Sequence, residues 1–482
     1  MHPGHPLALD PDVRLQLWQK LSTEIERYLR LVPTAPVAPA LDPAALRELL
    51  APFDFTAPLT PAAAVQFATE NLWRHQVHTP HPRYFGLFNP APTTMGVAAD
   101  ALVAAFNPQI AAWSHSPFAA EVERHLVLAV AAKFGYDPAT ADGVFTSGGA
   151  EANHTALLCA LTQAYPEYSA AGVRALPQPP AVYVSALSHH SIVKAARLCG
   201  LGTDSVRVLP VDGSLRLSPT RIAETMRRDR AAGFRPLMLV ATLGTTATGT
   251  IDPIAALAGI AAAEGCWLHA DAAWGGMAAL VPELRPAIAG VERADSITFD
   301  AHKSLSVPMG AGMFLTRHPG ILERTFRVGE DYMPRDAAAL EGAPVDPFAH
   351  SMQWSRRFIG LKLFLSLAVA GWQGYEEVLR HQTEMGHELR RAAIADGWLV
   401  VNDTPLPLVC LARSPGGDPP EVTAALVRQA VGSGQVWVSA AALPGGRAAV
   451  RACITNFRTQ PQDLAALLAH LRPPTRGSSE AP

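Results

Sequence analysis

From about Gly86 to Arg357 the chain alternates short runs dense in β-branched and aliphatic residues with longer Ala-rich runs. The short runs have the length and composition of buried strands: Gly143–Thr146, Ala181–Ser185, Ser205–Val211, Leu237–Thr242, Cys266–Asp271, Ser296–Phe299 and Gly312–Thr316. The longer runs, Ala150–Tyr165, Ser191–Leu198, Ser218–Ala232 and Ile254–Glu264, have helical length and spacing. Such alternation predicts an α/β large domain, with a mainly parallel sheet covered by helices on both faces. Ligands on these sheets lie beyond the carboxyl ends of the strands. Thr246 and Asp271 fall there, and Lys303 lies a few residues past its strand on a loop.

The flanks read differently. Leu15, Leu17, Trp18, Leu21, Ile25, Tyr28 and Leu29 recur near helical spacing and predict a helix over 11–32. A Pro/Ala-rich arm, Pro33 to Pro43, and a short helix, Ala44–Leu50, follow. This front section has too little apolar surface for a core of its own and is expected to lie across another subunit or the main domain. After Trp372 a helix from Glu376 to Asp396 leads into a smaller α+β section. Its expected strands are Val400-Val401, Leu408–Leu411, Val436–Ser439 and Ala449–Ile454, and its helices Pro419–Gln429 and Pro461–Leu471. The expected division is an N-terminal helical segment 1–85, a large domain 86–357, a small C-terminal domain 358–472 and a disordered tail 473–482.

Composition narrows the class. At 482 residues the chain is too long for one ordinary core, and 49% hydrophobic with 17% charged residues describes a globular protein. A formal net charge of −3 without a Lys/Arg block argues against a nucleic-acid partner. Cys159, Cys199, Cys266, Cys410 and Cys453 are widely separated, which suits a reducing cytoplasm better than a disulfide framework or a metal site. The start Met1-His2-Pro3-Gly4-His5-Pro6 lacks signal-peptide character, and Val97 to Ala112 is too interrupted to span a bilayer. No membrane association is expected.

The candidate chemistry sits at the strand ends. Asp271 closes an apolar run, and Lys303 follows another in Asp300-Ala301-His302-Lys303-Ser304. A lysine that forms a Schiff base and a carboxylate that faces a pyridine nitrogen are the two contacts pyridoxal phosphate requires. Ser147-Gly148-Gly149 joins a strand to a helix, a turn able to hold a phosphate or simply a tight connection. His189-His190 precedes a helix; His190 can stack on a flat cofactor, or Ser188 and Ser191 can serve as caps there. In the turn Gly244-Thr245-Thr246 hydroxyls can meet a cofactor or a substrate, and Asp252 reads as the cap of the next helix.

These runs resemble the group II pyridoxal-phosphate amino-acid decarboxylases, over roughly His78 to Arg458. The matching runs, in order, are His81-Pro82-Arg83-Tyr84-Phe85, Ser147-Gly148-Gly149, His190-Ser191, Gly244-Thr245-Thr246, His269-Ala270-Asp271-Ala272-Ala273 and His302-Lys303. The resemblance implies a type I pyridoxal-phosphate fold with a seven-stranded sheet and a homodimer. It makes Lys303 the Schiff-base lysine and Asp271 the pyridinium partner, with His190 stacked on one ring face and Ala273 on the other. Ser147, Gly148 and Gly149 match the phosphate turn, with Thr246 and His302 also at the cofactor. Tyr332, in Val328-Gly329-Glu330-Asp331-Tyr332-Met333-Pro334, matches the loop tyrosine that protonates the α-carbon, and Ser355-Arg356-Arg357 resembles the arginine pair after that loop. Many relatives carry Asn-Pro where this chain has Asp300-Ala301. An ionised aspartate there would repel phosphate, so either Asp300 turns away or the phosphate cup is built differently.

The expected activity is decarboxylation of an L-amino acid to its amine and carbon dioxide. Phe85, Phe88, Phe106, Trp113 and Trp354 favour an aromatic substrate; Arg83 and His115 are the residues that could hold an acidic one, such as glutamate, aspartate or cysteine sulfinate. A carbon–carbon lyase or aldehyde synthase is the nearest rival. A regulatory protein on a degenerate scaffold is the non-enzyme alternative.

Overall fold

Strands whose residues are apolar on both faces can only sit in the middle of a layered fold, and that is where this sequence puts them. The computed structural model describes residues 7–40, 42–329 and 345–472, so Tyr332 and the expected tail 473–482 lie outside the described residues. The large sheet contains β1 (Asp142–Thr146), β2 (Pro180–Ser185), β3 (Val206–Leu209), β4 (Arg235–Thr242), β5 (Trp267–Asp271), β6 (Ser296–Asp300) and β7 (Gly312–Thr316). Its order is β1-β7-β6-β5-β4-β2-β3. All neighbours pair in parallel except β7, which runs antiparallel to both β6 and β1.

Alternate residues of one strand serve opposite cores, as the two-residue period requires. Val182, Val184, Met238 and Val240 join the cluster under the helices Gly149–Ala164 and Ser191–Leu198. Ala181, Tyr183, Leu239 and Ala241 join the larger cluster on the other face. The second sheet is wholly antiparallel, in the order β10-β11-β9-β8, with β8 (Leu399–Val400), β9 (Leu408–Ala412), β10 (Ser439–Leu443) and β11 (Arg447–Cys453). Asn402 and Thr404 fasten this smaller unit to the large one, their side chains donating to the carbonyls of Thr248 (2.8 Å) and Gly249 (2.6 Å).

Several expectations change here. The helix expected from Glu376 is the second of two helical segments between Leu361 and Ala395, which meet at Gly371, whose φ of 65° and ψ of 173° are not helical and suit glycine. The strand expected at Val436–Ser439 is displaced: Trp437 makes only an isolated parallel bridge to Tyr84, and the sheet strand starts at Ser439. Asp252 does not cap the helix Ile254–Glu264, which has no side-chain cap. Its two carboxylate oxygens instead accept from the amides of Leu217 (2.8 Å) and Thr242 (2.9 Å), and burial pushes its carboxyl up to about 6.

The front helices Pro11–Leu31, Pro43–Leu50 and Pro61–Arg74 contain no buried residue, while Leu15, Trp18 and Leu72 are more than half exposed. All five cysteines are unpaired and buried. Among the described residues no helix is long and apolar enough to cross a membrane.

Candidate active site

The register of the large sheet sets Thr242 beside Asp271 and Asp271 beside Thr298, while Asp300 and Thr146 flank Gly312 from either side. One edge of the sheet therefore gathers the polar ends of four strands around the glycine that opens β7. Gly312 is required there: a Cβ on it would lie 2.5 Å from Thr146 Oγ1 and 2.6 Å from Gly148 Cα.

Asp271 is buried, 5% exposed, and its orientation is imposed by a relay of side chains. Trp267 Nε1–H donates to Ser296 Oγ (2.8 Å), and because His269 Nε2 faces the acceptor Asn153 Oδ1, the Ser296 hydroxyl donates to the other ring nitrogen, His269 Nδ1 (2.8 Å). The proton of the neutral His269 ring then sits on Nε2 and is given to Asn153 Oδ1 (2.9 Å). Burial holds this ring neutral, pulling its pKa down to about 4. Asn153 Nδ2 donates onward to Asp271 Oδ2 (2.9 Å) and Ser191 Oγ (2.8 Å), and Thr298 adds a further donor to Asn153 Oδ1. Asp271 Oδ1 accepts from the amide of Ala273 (3.2 Å). Asn153 went unnoticed in the sequence, although an asparagine on the buried face of an Ala/Leu-rich helix is the signal that would have found it.

The same relay reaches a histidine. With the Ser191 hydroxyl accepting from Asn153, it donates to His189 Nδ1 (2.8 Å), which also accepts the Ser191 amide (3.2 Å). His189 therefore carries its proton on Nε2. Burial lowers its pKa, and it also feels the charges of Asp271, Lys303, His190 and Asp300. Both rings keep access to solvent, and His190, the expected stacking residue, serves as the N-cap residue of the helix Ser191–Leu198 without a side-chain cap bond.

Lys303 lies on a single helical turn, Ala301–Ser304, rather than a loop, because the chain must reverse within a few residues to enter the antiparallel β7. Ser304 Oγ anchors that turn by donating to the Trp274 carbonyl (2.8 Å). Lys303 Nζ is 2.9 Å from Asp300 Oδ2 and 5.4 Å from the centroid of the Phe88 ring, which stacks on Trp274 at 4.7 Å. Asp300 has not turned away: it is 1% exposed, and a Cβ on Gly149 would lie 2.9 Å from its Oδ2 and 3.4 Å from its Oδ1. The Ala273 Cβ would be 3.3 Å from that same point, and His302 lies against Gly148. Ser147 is engaged elsewhere, its amide and hydroxyl donating to Glu151 (2.9 and 2.7 Å).

Other expected residues fare unevenly. The hydroxyls of Thr245, Thr248 and Thr250 bond one another in a buried triangle, leaving Thr246 at the half-buried rim of its turn. Among the aromatics Phe88 is at Lys303. Phe85 belongs to the core of the small domain, Phe106 is 82% exposed, Trp113 bonds Glu121 and Trp354 stacks on Phe348. Arg83 is paired with Asp463 (3.0 Å), and His115 is exposed. Arg356 forms a buried pair with Glu123 (2.6 Å), and Arg357 pairs with Asp100 (3.1 Å).

Arg451, which sequence reading overlooked, stands in the buried strand β11 with its guanidinium 4.9 Å from the Phe88 ring. Nε donates to the Thr246 carbonyl (2.7 Å), Nη1 to that of Gly86, and Nη2 is buried without a partner. A cation at an inward position of an Ala/Val strand was the available signal.

These residues fit a phosphorylated pyridine aldehyde. The helix Gly149–Ala164 opens with glycines at its N-cap and first position, so its first amides have no intrahelical acceptor. Asp300 Oδ1, buried at that turn, has no partner. The Lys303 amine stands beside it, and the Asp271 carboxylate, held by Asn153 and the Ala273 amide, ends the neighbouring strand.

Comparison with known proteins agrees. The model described as pyridoxal-dependent decarboxylase conserved domain matches residues 49–413. An aromatic-L-amino-acid decarboxylase of Bacillus atrophaeus is 27% identical over 473 residues, covering 97% of this chain and 96% of the relative. A tyrosine decarboxylase of Oryza sativa subsp. japonica is 32% identical over 424 residues (85% and 78%). Among solved structures, Oryza sativa TDC with PLP and tryptamine superposes with a TM-score of 0.90 at 26% identity, covering 97% of this chain and 98% of that one. Mouse CSAD superposes at 0.88, also at 26% identity, over 96% and 98%.

Proposed function

Because this chain belongs to the pyridoxal-dependent decarboxylase family, whose members are amino-acid carboxy-lyases, we propose that its substrate is an aromatic L-amino acid, released as amine and carbon dioxide. The observation that carries the choice is the stacked Phe88–Trp274 pair at Lys303, a flat apolar wall beside the reactive amine. Pyridoxal phosphate, when bound, supplies the ring that takes up the electrons of the breaking bond from Cα to the carboxylate.

The chain's own residues do the rest. Lys303 would supply the amine that holds the cofactor until a substrate amine takes its place. Asp271, fixed by Asn153 and Ala273, presents its carboxylate to the pyridine nitrogen. The amides of Gly148 and Gly149 face the phosphate, with His302 and Thr246 at its margins. His189, its tautomer set by Ser191, would stack on the ring in place of the expected His190, with its Nε2–H left for the substrate. Ala273 would pack on the other face. Tyr332 returns the proton to Cα.

A second reading, an acidic substrate, draws on Arg451. A cation gripping the carboxylate that must leave would stabilise the ground state and slow the reaction. A guanidinium pre-set by two carbonyls suits a second, distal carboxylate instead. Carbon dioxide release from tyrosine, tryptophan and phenylalanine, compared with glutamate, aspartate and cysteine sulfinate, decides between them. Preference for the acidic set would overturn the aromatic reading.

The same assay tests Tyr332. Tyr332→Phe keeps the ring, so cofactor loading should hold while amine release falls about a hundredfold to ten-thousandfold. Under air aldehyde, ammonia and peroxide should replace the amine, and under nitrogen they should not. Undiminished amine output would make Tyr332 a bystander. Two exposed features, the front helices and Phe106, support a C2 homodimer in which residues from Phe106 to Pro117 reach the neighbouring site. The separate buried cysteines support a reducing cytoplasm as its location.

A further inference from the structure

The aspartate that stands where many relatives carry asparagine is not turned out of the phosphate turn. Asp300 is buried, its two oxygens lie against Gly149, and Oδ1 has no partner. An ionised carboxylate in that place would face the incoming phosphate at close range with no water between them, a repulsion that low local polarity strengthens. Among the described residues, the cation in ion-pair contact with it is the Lys303 ammonium at 2.9 Å.

We propose that Asp300 takes up one proton when pyridoxal phosphate binds, so that it meets the phosphate as a hydrogen-bond donor rather than as a second anion. The proposal rests on the cofactor assignment above. Condensation of the Lys303 ammonium with an aldehyde expels one water and leaves the proton count unchanged, but it leaves that nitrogen a single N–H. Asp300 thereby loses the three-donor partner that balanced its charge just as the phosphate arrives. The proton comes from solvent, and the carboxyl gains the donor that an asparagine amide would have offered.

The other charged groups facing Asp300 do not alter this balance. His302 Nε2 is 3.8 Å from Oδ2, beyond hydrogen-bond reach, while its Nδ1 accepts the Ala311 amide. Burial, the largest cause, pulls the His302 pKa down; the charge of Asp300 itself pushes it up and those of Lys303 and Lys362 push it down, and the net direction is downward, so it adds little positive charge. His189, which also feels Asp300, is likewise held towards its neutral form by burial. The ordered amides at the start of the helix Gly149–Ala164 remain for the phosphate.

Calorimetric titration of apoprotein with pyridoxal phosphate, in two buffers of different ionisation enthalpy, counts the protons taken up. Near neutral pH wild type should take up about one proton more per site than Asp300→Asn, and its dissociation constant should rise more steeply with pH, by up to about tenfold per unit. The infrared difference spectrum between loaded and apo wild type should gain a protonated-carboxyl band, which needs no variant to fold. Equal proton counts, or absence of that band, overturn the proposal while leaving the cofactor assignment standing. Failure of wild type to bind pyridoxal phosphate at all would overturn both.

Discussion

Lys303→Ala should release no carbon dioxide above background from any amino acid, a fall of more than about ten-thousandfold, or roughly 5 kcal/mol in the barrier. The variant loses the amine that the fold holds at the polar edge of the sheet, on a turn anchored by Ser304 and beside Asp300. No other lysine stands in that turn, so nothing local can replace the attachment. The truncation also strands a buried carboxylate without its cation, so thermal stability of the apoprotein should drop as well. Borohydride treatment of loaded wild type followed by peptide mass mapping gives the independent check. Label on the Lys303 peptide is expected, and label on a different lysine would sink the assignment.

Asp271→Asn should cost a hundredfold or more in turnover, at least about 3 kcal/mol, with the fold intact. The relay from Trp267 through Ser296, His269 and Asn153 ends on Asp271 Oδ2, and the Ala273 amide holds Oδ1. Both oxygens are acceptors, so an asparagine must turn its NH2 towards one of two donors and loses the negative charge as well. Cofactor affinity should fall with the rate. Turnover must therefore be measured at full loading, judged by bound-cofactor absorbance. Near-normal turnover in fully loaded protein would remove Asp271 from its role opposite the ring nitrogen.

Much of the architecture was legible because the strands are buried on both faces. Gly312–Thr316, Ser191–Leu198, Ile254–Glu264 and Pro461–Leu471 match their expected bounds, each delimited by turn residues or proline. Periodicity does not report strand direction, so β7 is indistinguishable by pattern from its parallel neighbours. The short link from Asp300 to Gly312, with no room for a crossover helix, was the overlooked cue. Gly371-Trp372-Gln373-Gly374 contains a true interruption, since the backbone at Gly371 is not helical and separates two helical segments; what went unread was the first of them, from Leu361.

Within the site, residue types were readable and neighbouring positions were not. Asp271, Lys303 and the Gly148-Gly149 turn meet at one sheet edge as their strand-end positions require. Choosing between His189 and His190 depends on which ring the Ser191 hydroxyl can reach, a fact of turn geometry that no spacing encodes. Asp252 bears a capping signature, yet its oxygens find two amides on other segments. Arg451 comes from the far end of the chain and joins Phe88 only through the docking of the smaller sheet.

No residue of the front helices is fully buried within their own protomer, so much of their apolar surface is left to be covered. If a second copy covers it, abundance enters the rate law: assembled sites follow the square of free chain wherever the protein is scarce, not its amount. A cell making half as much of the chain near the dissociation constant would retain less than half of the activity, and dilution on the bench would mimic a loss-of-function variant.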